Sequence, residues 1–232
     1  MSRKNLTRGL TVLAGAGAAA VAIYMTVGRF WHLRWGAADR EADGGMPGDD
    51  LIPGARMQST RAITIHATPE QVWPWLVQIG YGRAGWYSYD ALEKAAGAGD
   101  FAEGASARAI LPEFQGLTIG DSIPLAPGSS FTVVDLQPAR VLALRARINP
   151  KTGQTVDFSS ADFNGFFDGS WVFRLTPIGE DGARLVVRFR ADFAPTLSNT
   201  GFAYAALEPA VFIMEQKMLR GIRERAEAIY AA

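Results

Sequence analysis

The C-terminal end of the chain carries one long apolar stripe, and this feature constrains the fold more than any other. Apolar residues recur at steps of three and four along residues 207–229, the spacing that places them on one face of an α-helix. On the opposite face Arg220 can pair with Glu224, and Arg223 with Glu227, at i, i+4 spacing. The pattern therefore predicts a long amphipathic helix that packs on the rest of a domain. The stripe consists of Leu207, Val211, Met214, Met218, Ile222, Ala226 and Ile229.

The segment before this helix has the clearest strand pattern in the chain. Residues 169–193 contain two alternating runs separated by a turn that includes Asp181 and Gly182, which predicts a β-hairpin. In the second run alternate apolar residues are expected to face the C-terminal helix, and the arginines between them are expected to form a solvated outer face. The apolar set is Leu185, Val187 and Phe189, and the arginines are Arg184, Arg188 and Arg190.

Shorter elements precede the hairpin. The run "STRAITIHA" predicts a strand, in which Ile63 and Ile65 share one face. A short helix is expected to follow, with Thr68 as its N-cap and Gly80 at its end. Asp90 is expected to cap a second short helix, and "SFTVVDLQ" and "RVLALRARI" read as further strands.

The N-terminal part of the chain reads as a membrane anchor and a tether. Residues 9–28 contain no charged residue, and a helix of that length rises about 30 Å, enough to cross a hydrocarbon core. Residues 1–8 form a basic flank, and 29–58 a juxtamembrane segment with a flexible linker rich in Gly, Asp and Pro. A cleaved signal peptide is the alternative, but apolar residues continue past its small-residue run, which favours a transmembrane helix. Lysines and arginines on both sides leave the orientation undecided.

Composition excludes several function classes. Lys and Arg together number 23, as do Asp and Glu, so no bulk charge indicates a nucleic-acid partner. The chain has no cysteine, which removes disulfides, thiol catalysis and thiolate metal sites. Its two histidines, His32 and His66, lie far apart, so we expect no metal site and no cofactor.

The order of the predicted elements, together with several motifs, resembles a known superfamily. A strand, two short helices, a series of antiparallel strands and a long C-terminal helix make up residues 59–232. This part resembles the START-like, or SRPBCC, superfamily, which includes polyketide cyclases, birch-pollen-allergen type proteins and lipid-transfer domains. It is most similar to a membrane-anchored bacterial subgroup of unknown function. The motifs that carry the resemblance are "MPGDDLIPG", "TRAITIHATPEQVWPWLVQIG", "GRAGWYSYDALE", "LTIGDSIPL", "GSWVFRLTP" and "MEQKMLRGIRERAE".

The resemblance implies an α+β helix-grip fold, in which a curved antiparallel sheet wraps around the C-terminal helix. It also implies an apolar cavity between sheet and helix that binds a small hydrophobic ligand, such as a lipid or a polyketide-like molecule. The aromatic residues of "GRAGWYSYDAL" are then expected to form the rim of the cavity and the methionines of the last helix its wall. The expected ligand-binding residues are Trp86, Tyr87, Tyr89, Met214 and Met218.

Two other functions stay open at this point. A cyclase or dehydratase on the same fold would need polar groups inside the cavity, for which the candidates are Arg83, Asp90, Arg108 and Glu113. None of these residues forms a recognisable catalytic pair, so the catalytic residues are unknown. An interaction module of the cell envelope, with a cavity filled by its own side chains, is the other alternative. Protein partners and oligomeric state are not predicted.

Overall fold

In the computed structural model, residues 24–95, 97–149, 151–158 and 167–228 are described. The strands found in these residues form one antiparallel sheet of six strands, in the order β1-β6-β5-β4-β3-β2. The strands are β1 (Met57–Ile65), β2 (Ser122–Ala126), β3 (Ser129–Gln137), β4 (Val141–Ile148), β5 (Phe167–Ile178) and β6 (Gly182–Phe193). The α-helices are α1 (Arg29–Leu33), α2 (Asp39–Asp43), α3 (Pro69–Val77), α4 (Asp90–Ala95), α5 (Leu197–Phe202) and α6 (Glu208–Ala228).

The predicted hairpin is confirmed with its register. Strand β5 pairs with β6 so that Phe173 lies opposite Val187 and Leu175 opposite Leu185. All four side chains are buried in the main core, which also contains residues of α3 and α6. Each strand of this pair therefore presents one face to the helices, and we call that side of the sheet its inner face.

The predicted C-terminal helix is confirmed, but its buried side is not wholly apolar. Met218, Ile222 and Ala226 are buried as expected, whereas Ile229 lies outside the described residues. Glu208 and Glu215 are each only 2% exposed and face the domain with these apolar residues. Two buried carboxylates on this helix require partners, since an unpaired buried charge is very costly.

The flexible linker expected within residues 29–58 is instead packed on the sheet. Residues 36–56, which we call the strap, contain α2 and a turn of 3₁₀-helix, and they lie on the outer face of the sheet. Met46 and Ile52 of the strap are buried. Met46 packs on Val172 and Val186, which point away from the main core. Apolar burial thus fixes a segment whose sequence has no apolar periodicity.

The outer-face arginines hold the strap, and the prediction that they form a solvated face is wrong. Arg184 forms an ion pair with Glu41 at 2.7 Å. Arg188 is 2% exposed and donates to the backbone carbonyls of Glu41, Ala42 and Gly44 at 2.8–3.1 Å. Since the strap offers mainly backbone carbonyl groups, its partners on the sheet are arginines with several N–H donors each.

Most of the predicted membrane helix, residues 9–23, lies outside the described residues. Of that segment the structure describes only Tyr24–Gly28, a turn of π-helix that leads into α1. Within the part of the chain that is described, no helix has both the length and the apolar character needed to cross a bilayer.

Candidate functional site

Aromatic side chains from three parts of the chain meet on the inner face of the sheet. The ring centroid of Trp171, on β5, lies 5.5 Å from that of Trp86 and 5.8 Å from that of Phe131 on β3. Trp86 and Phe131 are buried, whereas Trp171 is only half-buried. Gly169 precedes Trp171 on the same face of β5 and is also half-buried. The cluster therefore has an apolar floor that reaches the surface of the domain.

The segment that carries Trp86 is attached to α6 beside this cluster. The hydroxyl of Ser88 donates to the backbone carbonyl of Met214 at 3.0 Å, and its oxygen lies 3.4 Å from the Met214 sulfur. Met214 is half-buried. We call Trp86, Phe131, Gly169, Trp171 and Met214 the aromatic site.

A buried ion pair adjoins the aromatic site. Arg61 of β1 is fully buried, and its Nη1 lies 2.9 Å from Oε1 of Glu215 on α6. The other oxygen of Glu215 accepts a hydrogen bond from the indole Nε1 of Trp171 at 2.9 Å. The two charges are therefore matched, and Glu215 fixes the orientation of an aromatic ring in the site.

The Arg61 guanidinium also binds the N-terminal helix. Its Nε donates to the backbone carbonyl of His32 in α1 at 2.8 Å. The His32 Nε2 lies 3.1 Å from Oε1 of Glu208, and Arg29 binds both oxygens of Glu208 at 2.8–2.9 Å. Burial lowers the pKa of His32, so the imidazole is neutral at pH 7 and donates from Nε2. Helix α1 is thus linked through Arg61 and Glu215 to the aromatic site.

The predicted rim aromatics occupy three different environments. Trp86 and Tyr87 lie in the main core, at 6% and 1% exposure, whereas Tyr89 is 43% exposed. The Tyr87 hydroxyl accepts a hydrogen bond from the Gln78 side chain at 2.8 Å, and burial raises the pKa of this phenol. The backbone of Tyr87 is left-handed, with φ of 54°, and a Cβ at Gly221 of α6 would clash with its carbonyl oxygen. This geometry gives Tyr87 a structural role.

The two predicted methionines also differ. Met214 reaches the surface in the aromatic site, whereas Met218 is 1% exposed and belongs to the main core. Their roles in ligand binding stay predictions.

The predicted polar candidates are not brought together. Arg83 donates to the backbone carbonyls of Val77 and Ile79, and Arg108 and Glu113 are exposed. Asp90 accepts hydrogen bonds from the backbone N–H and the hydroxyl of Ser106. Asp90 is the first residue of helix α4, and its carboxylate holds the following loop instead of capping the helix as predicted.

One buried carboxyl beside them was not predicted. Glu93 of α4 is 2% exposed, and the backbone of Ser88 favours its charged form too weakly to offset this burial. Burial, aided by the negative charge of Asp90, raises the pKa of Glu93 to about 7.

The sequence did contain signals for the buried ion pair. Arg61 has the same strand phase as Ile63 and Ile65, which were expected to share one face of the strand. Glu208 and Glu215 precede Ile222 at steps of seven, which places all three on one side of a helix. Charged residues in phase with apolar ones indicate buried pairs, although they do not reveal which charge meets which.

The cavities and the possible metal ligands of the described residues add no residue to the aromatic site. One cavity of about 190 Å³ lies beside α1 and the strap, and another of about 230 Å³ lies beside α4. Neither cavity is lined by a residue of the aromatic site. Within the described residues no cluster of three His, Asp or Glu side chains could hold a metal ion.

Comparisons with known proteins find similar solved structures only at low sequence identity. No protein-family model and no curated protein matches the chain. Among solved structures, it is similar to the Zhui aromatase/cyclase from a Streptomyces species, with 18% identity, 75% of this chain and 95% of that chain covered, and a TM-score of 0.39. A norcoclaurine synthase mutant from Thalictrum gives 11% identity, 76% and 96% coverage and a TM-score of 0.38. A protein from Nitrosospira multiformis gives 13% identity, 76% and 100% coverage and a TM-score of 0.45.

These structural similarities are too distant to indicate an activity. The assignment of the fold rests on the observed strand order and on the long helix that packs against the inner face. With these features, the described part of residues 57–228 has an α+β helix-grip architecture.

Proposed function

We propose that the chain is a membrane-tethered START-like domain that binds a small hydrophobic ligand at the aromatic site. The observation that carries the proposal is the half-buried Trp171, packed between Trp86 and Phe131 on the inner face. Apolar ligand sites in proteins combine such aromatic walls with a few placed polar groups. Here the polar groups are Arg61 and Glu215, which are buried at the edge of the aromatic cluster.

Gly169 marks where a ligand would enter. It lies on the same side of β5 as Trp171, and a Cβ built on it meets only ordinary contacts, 3.5 Å to the Arg190 carbonyl and 3.6 Å to the Phe189 ring. Because no side chain stands at this position, the aromatic floor is left uncovered. A ligand at the aromatic site would lie over this glycine.

Replacing Gly169 by leucine is expected to weaken binding of an apolar probe at least tenfold while leaving the domain as stable as the wild type. The added side chain would fill the entrance, and a strand residue other than glycine costs the backbone nothing. The measurement is fluorescence titration with N-phenyl-naphthylamine, a neutral apolar probe, together with urea denaturation of each variant.

The matched control is Thr176→Leu, which adds the same bulk at an exposed position of the same strand. It should leave the probe affinity unchanged. Absence of probe binding by the wild type, or equal affinities for the wild type and the Gly169 variant, would contradict the proposed site.

One observation favours a second function, an interaction module without a ligand. Trp86, Tyr87 and Met218, three of the predicted ligand-binding residues, are packed into the main core. If the interior is filled in this way throughout, the domain would act through its surface. The probe titration separates the two functions, because a filled interior has no saturable site for the probe.

The membrane part of the proposal rests on residues 9–28 and on the exposed side chains that adjoin them. Val27, at the end of the uncharged run, and Phe30 and Trp31, just after it, are each more than half exposed. Exposed aromatic and apolar side chains at such a position are typical of a membrane interface. Arg29 attaches the same segment to α6 through Glu208, so the domain would lie close to the bilayer.

The full chain is expected to sediment with membranes and to stay there in high salt and in carbonate washes, because a transmembrane helix inserts almost irreversibly. A chain that starts at Tyr24 is the matched control, since it keeps α1 and the strap, and it should remain in the supernatant. Release of the full chain by carbonate, or a mature N-terminus near Val21, would contradict the anchor.

A further inference from the structure

Two hydrogen-bond donors at the aromatic site have no partner among the residues that the structure describes. The Nη2 of Arg61 and the indole Nε1 of Trp86 are buried, and neither has a hydrogen-bond partner within the described part of the chain. Arg61 is fully buried and Trp86 is 6% exposed, so bulk water does not reach them freely. Buried donors are almost always satisfied in folded proteins, because each unmade bond costs free energy.

Both donors belong to side chains that form or adjoin the aromatic site. The Trp86 ring packs against Trp171, and Trp171 donates to the same Glu215 carboxylate that pairs with Arg61. The other two nitrogen atoms of the Arg61 guanidinium already donate hydrogen bonds. Nε donates to the His32 carbonyl and Nη1 to the Glu215 carboxylate. The Phe212 ring lies 5.2 Å from the guanidinium carbon and supplies no acceptor oxygen.

The charges around these donors decide which acceptor fits. Arg61 carries one positive charge, and Glu215 neutralises it at 2.9 Å. The next charged pair, Arg29 with Glu208, is also balanced. A ligand carboxylate at Nη2 would add a second negative charge beside Glu215 in a poorly solvated site, where like charges repel strongly. A neutral oxygen would accept the hydrogen bonds without that cost.

We propose that the ligand of the aromatic site carries a neutral acceptor oxygen, a ketone, ester or amide carbonyl, bound by Nη2 of Arg61 and Nε1 of Trp86. This inference rests on the proposed ligand-binding function and narrows its ligand class. The aromatic rings hold the apolar body of the ligand, and the two donors orient its carbonyl group. Glu215 keeps Arg61 in place and keeps acidic ligands out.

The test uses three probes of one shape, a dimethylaminonaphthalene that carries an acetyl group, no oxygen substituent, or a carboxylate. Binding is followed by fluorescence and competition with the wild-type full chain and its variants. The acetyl probe should bind about tenfold more tightly than the probe without oxygen, which is the effect of one hydrogen bond from a charged donor. The carboxylate probe should bind more weakly than the acetyl probe.

The variants separate this claim from the proposed function. Arg61→Lys keeps the ion pair with Glu215 but removes the forked donor, so the preference for the acetyl probe should fall to near one while the probe without oxygen still binds. Trp86→Phe keeps an aromatic ring at this position but removes Nε1 together with the pyrrole part of the indole, so the readout is the ratio of the two affinities and not either affinity alone. This variant should lower the preference for the acetyl probe by a few-fold even if the Arg61 variant fails to fold.

Each of three outcomes would contradict either the proposed function or the carbonyl inference. If none of the probes binds the wild type, the proposed function itself fails. If the probes bind equally, or the carboxylate binds best, the carbonyl inference fails and the ligand site stands. A preference that survives in both variants places the carbonyl elsewhere and also refutes the inference.

Discussion

Replacing Arg188 by alanine is expected to lower the free energy of unfolding by about 3–5 kcal/mol, the range for breaking a buried charged network. Arg188 donates to three strap carbonyls, to the Thr60 hydroxyl and to the Asp49 carboxylate, the last at 2.7 Å. Without it these groups lose a donor that water cannot replace under the strap. Urea denaturation of the wild type and the variant measures the effect.

The matched control is Arg140→Ala, at an exposed arginine in the turn before β4. It should change the free energy of unfolding by less than about 0.5 kcal/mol, as surface substitutions usually do. A loss below about 1 kcal/mol at Arg188 would mean that the strap does not cover the sheet.

The second large effect is expected at Glu93, whose replacement should change how the free energy of unfolding depends on pH. Its pKa is raised to about 7 in the folded domain, above the value of an unfolded glutamate. Folding therefore favours the protonated form, and the wild type should lose stability as the pH rises from about 4.5 to about 7. Glu93→Gln removes this loss, so the variant should gain about 3 kcal/mol on the wild type across that interval.

Urea denaturation at about pH 5 and about pH 8 measures this difference, since those values lie near the two ends of the expected transition. Glu103→Gln is the control, because Glu103 is exposed in the loop after α4. Its substitution should change the free energy of unfolding by the same amount at both pH values. Parallel pH profiles for the wild type and the Glu93 variant would show that the carboxyl is solvated or bonded.

The sequence predicted the sheet and the long helix because both have regular apolar periods. The alternation around Leu185 and Val187 determined the inner face of β6, and the three-and-four spacing through Met218 and Ile222 determined the buried side of α6. A one-residue error would have reversed the faces of the strand and rotated the helix stripe by about 100°, so both regular elements are strongly specified.

The strap and the aromatic site could not be predicted in the same way. The strap is bound mostly through its backbone carbonyls, which every residue has, so its sequence carries no periodic signal. Trp86 and Tyr87 lie in a loop, where no period determines their direction, and both were expected at a rim although they are buried. The partner of Glu215 depends on contact between β1 and α6, which are far apart in sequence.

Native mass spectrometry of the full chain, purified from its own host in mild detergent, shows directly whether this domain holds a small apolar ligand. We expect a bound species of a few hundred daltons that is released on unfolding and is lost in Gly169→Leu but kept in Thr176→Leu. A spectrum with only the mass of the polypeptide, from a protein that also fails to bind the naphthylamine probe, would contradict it.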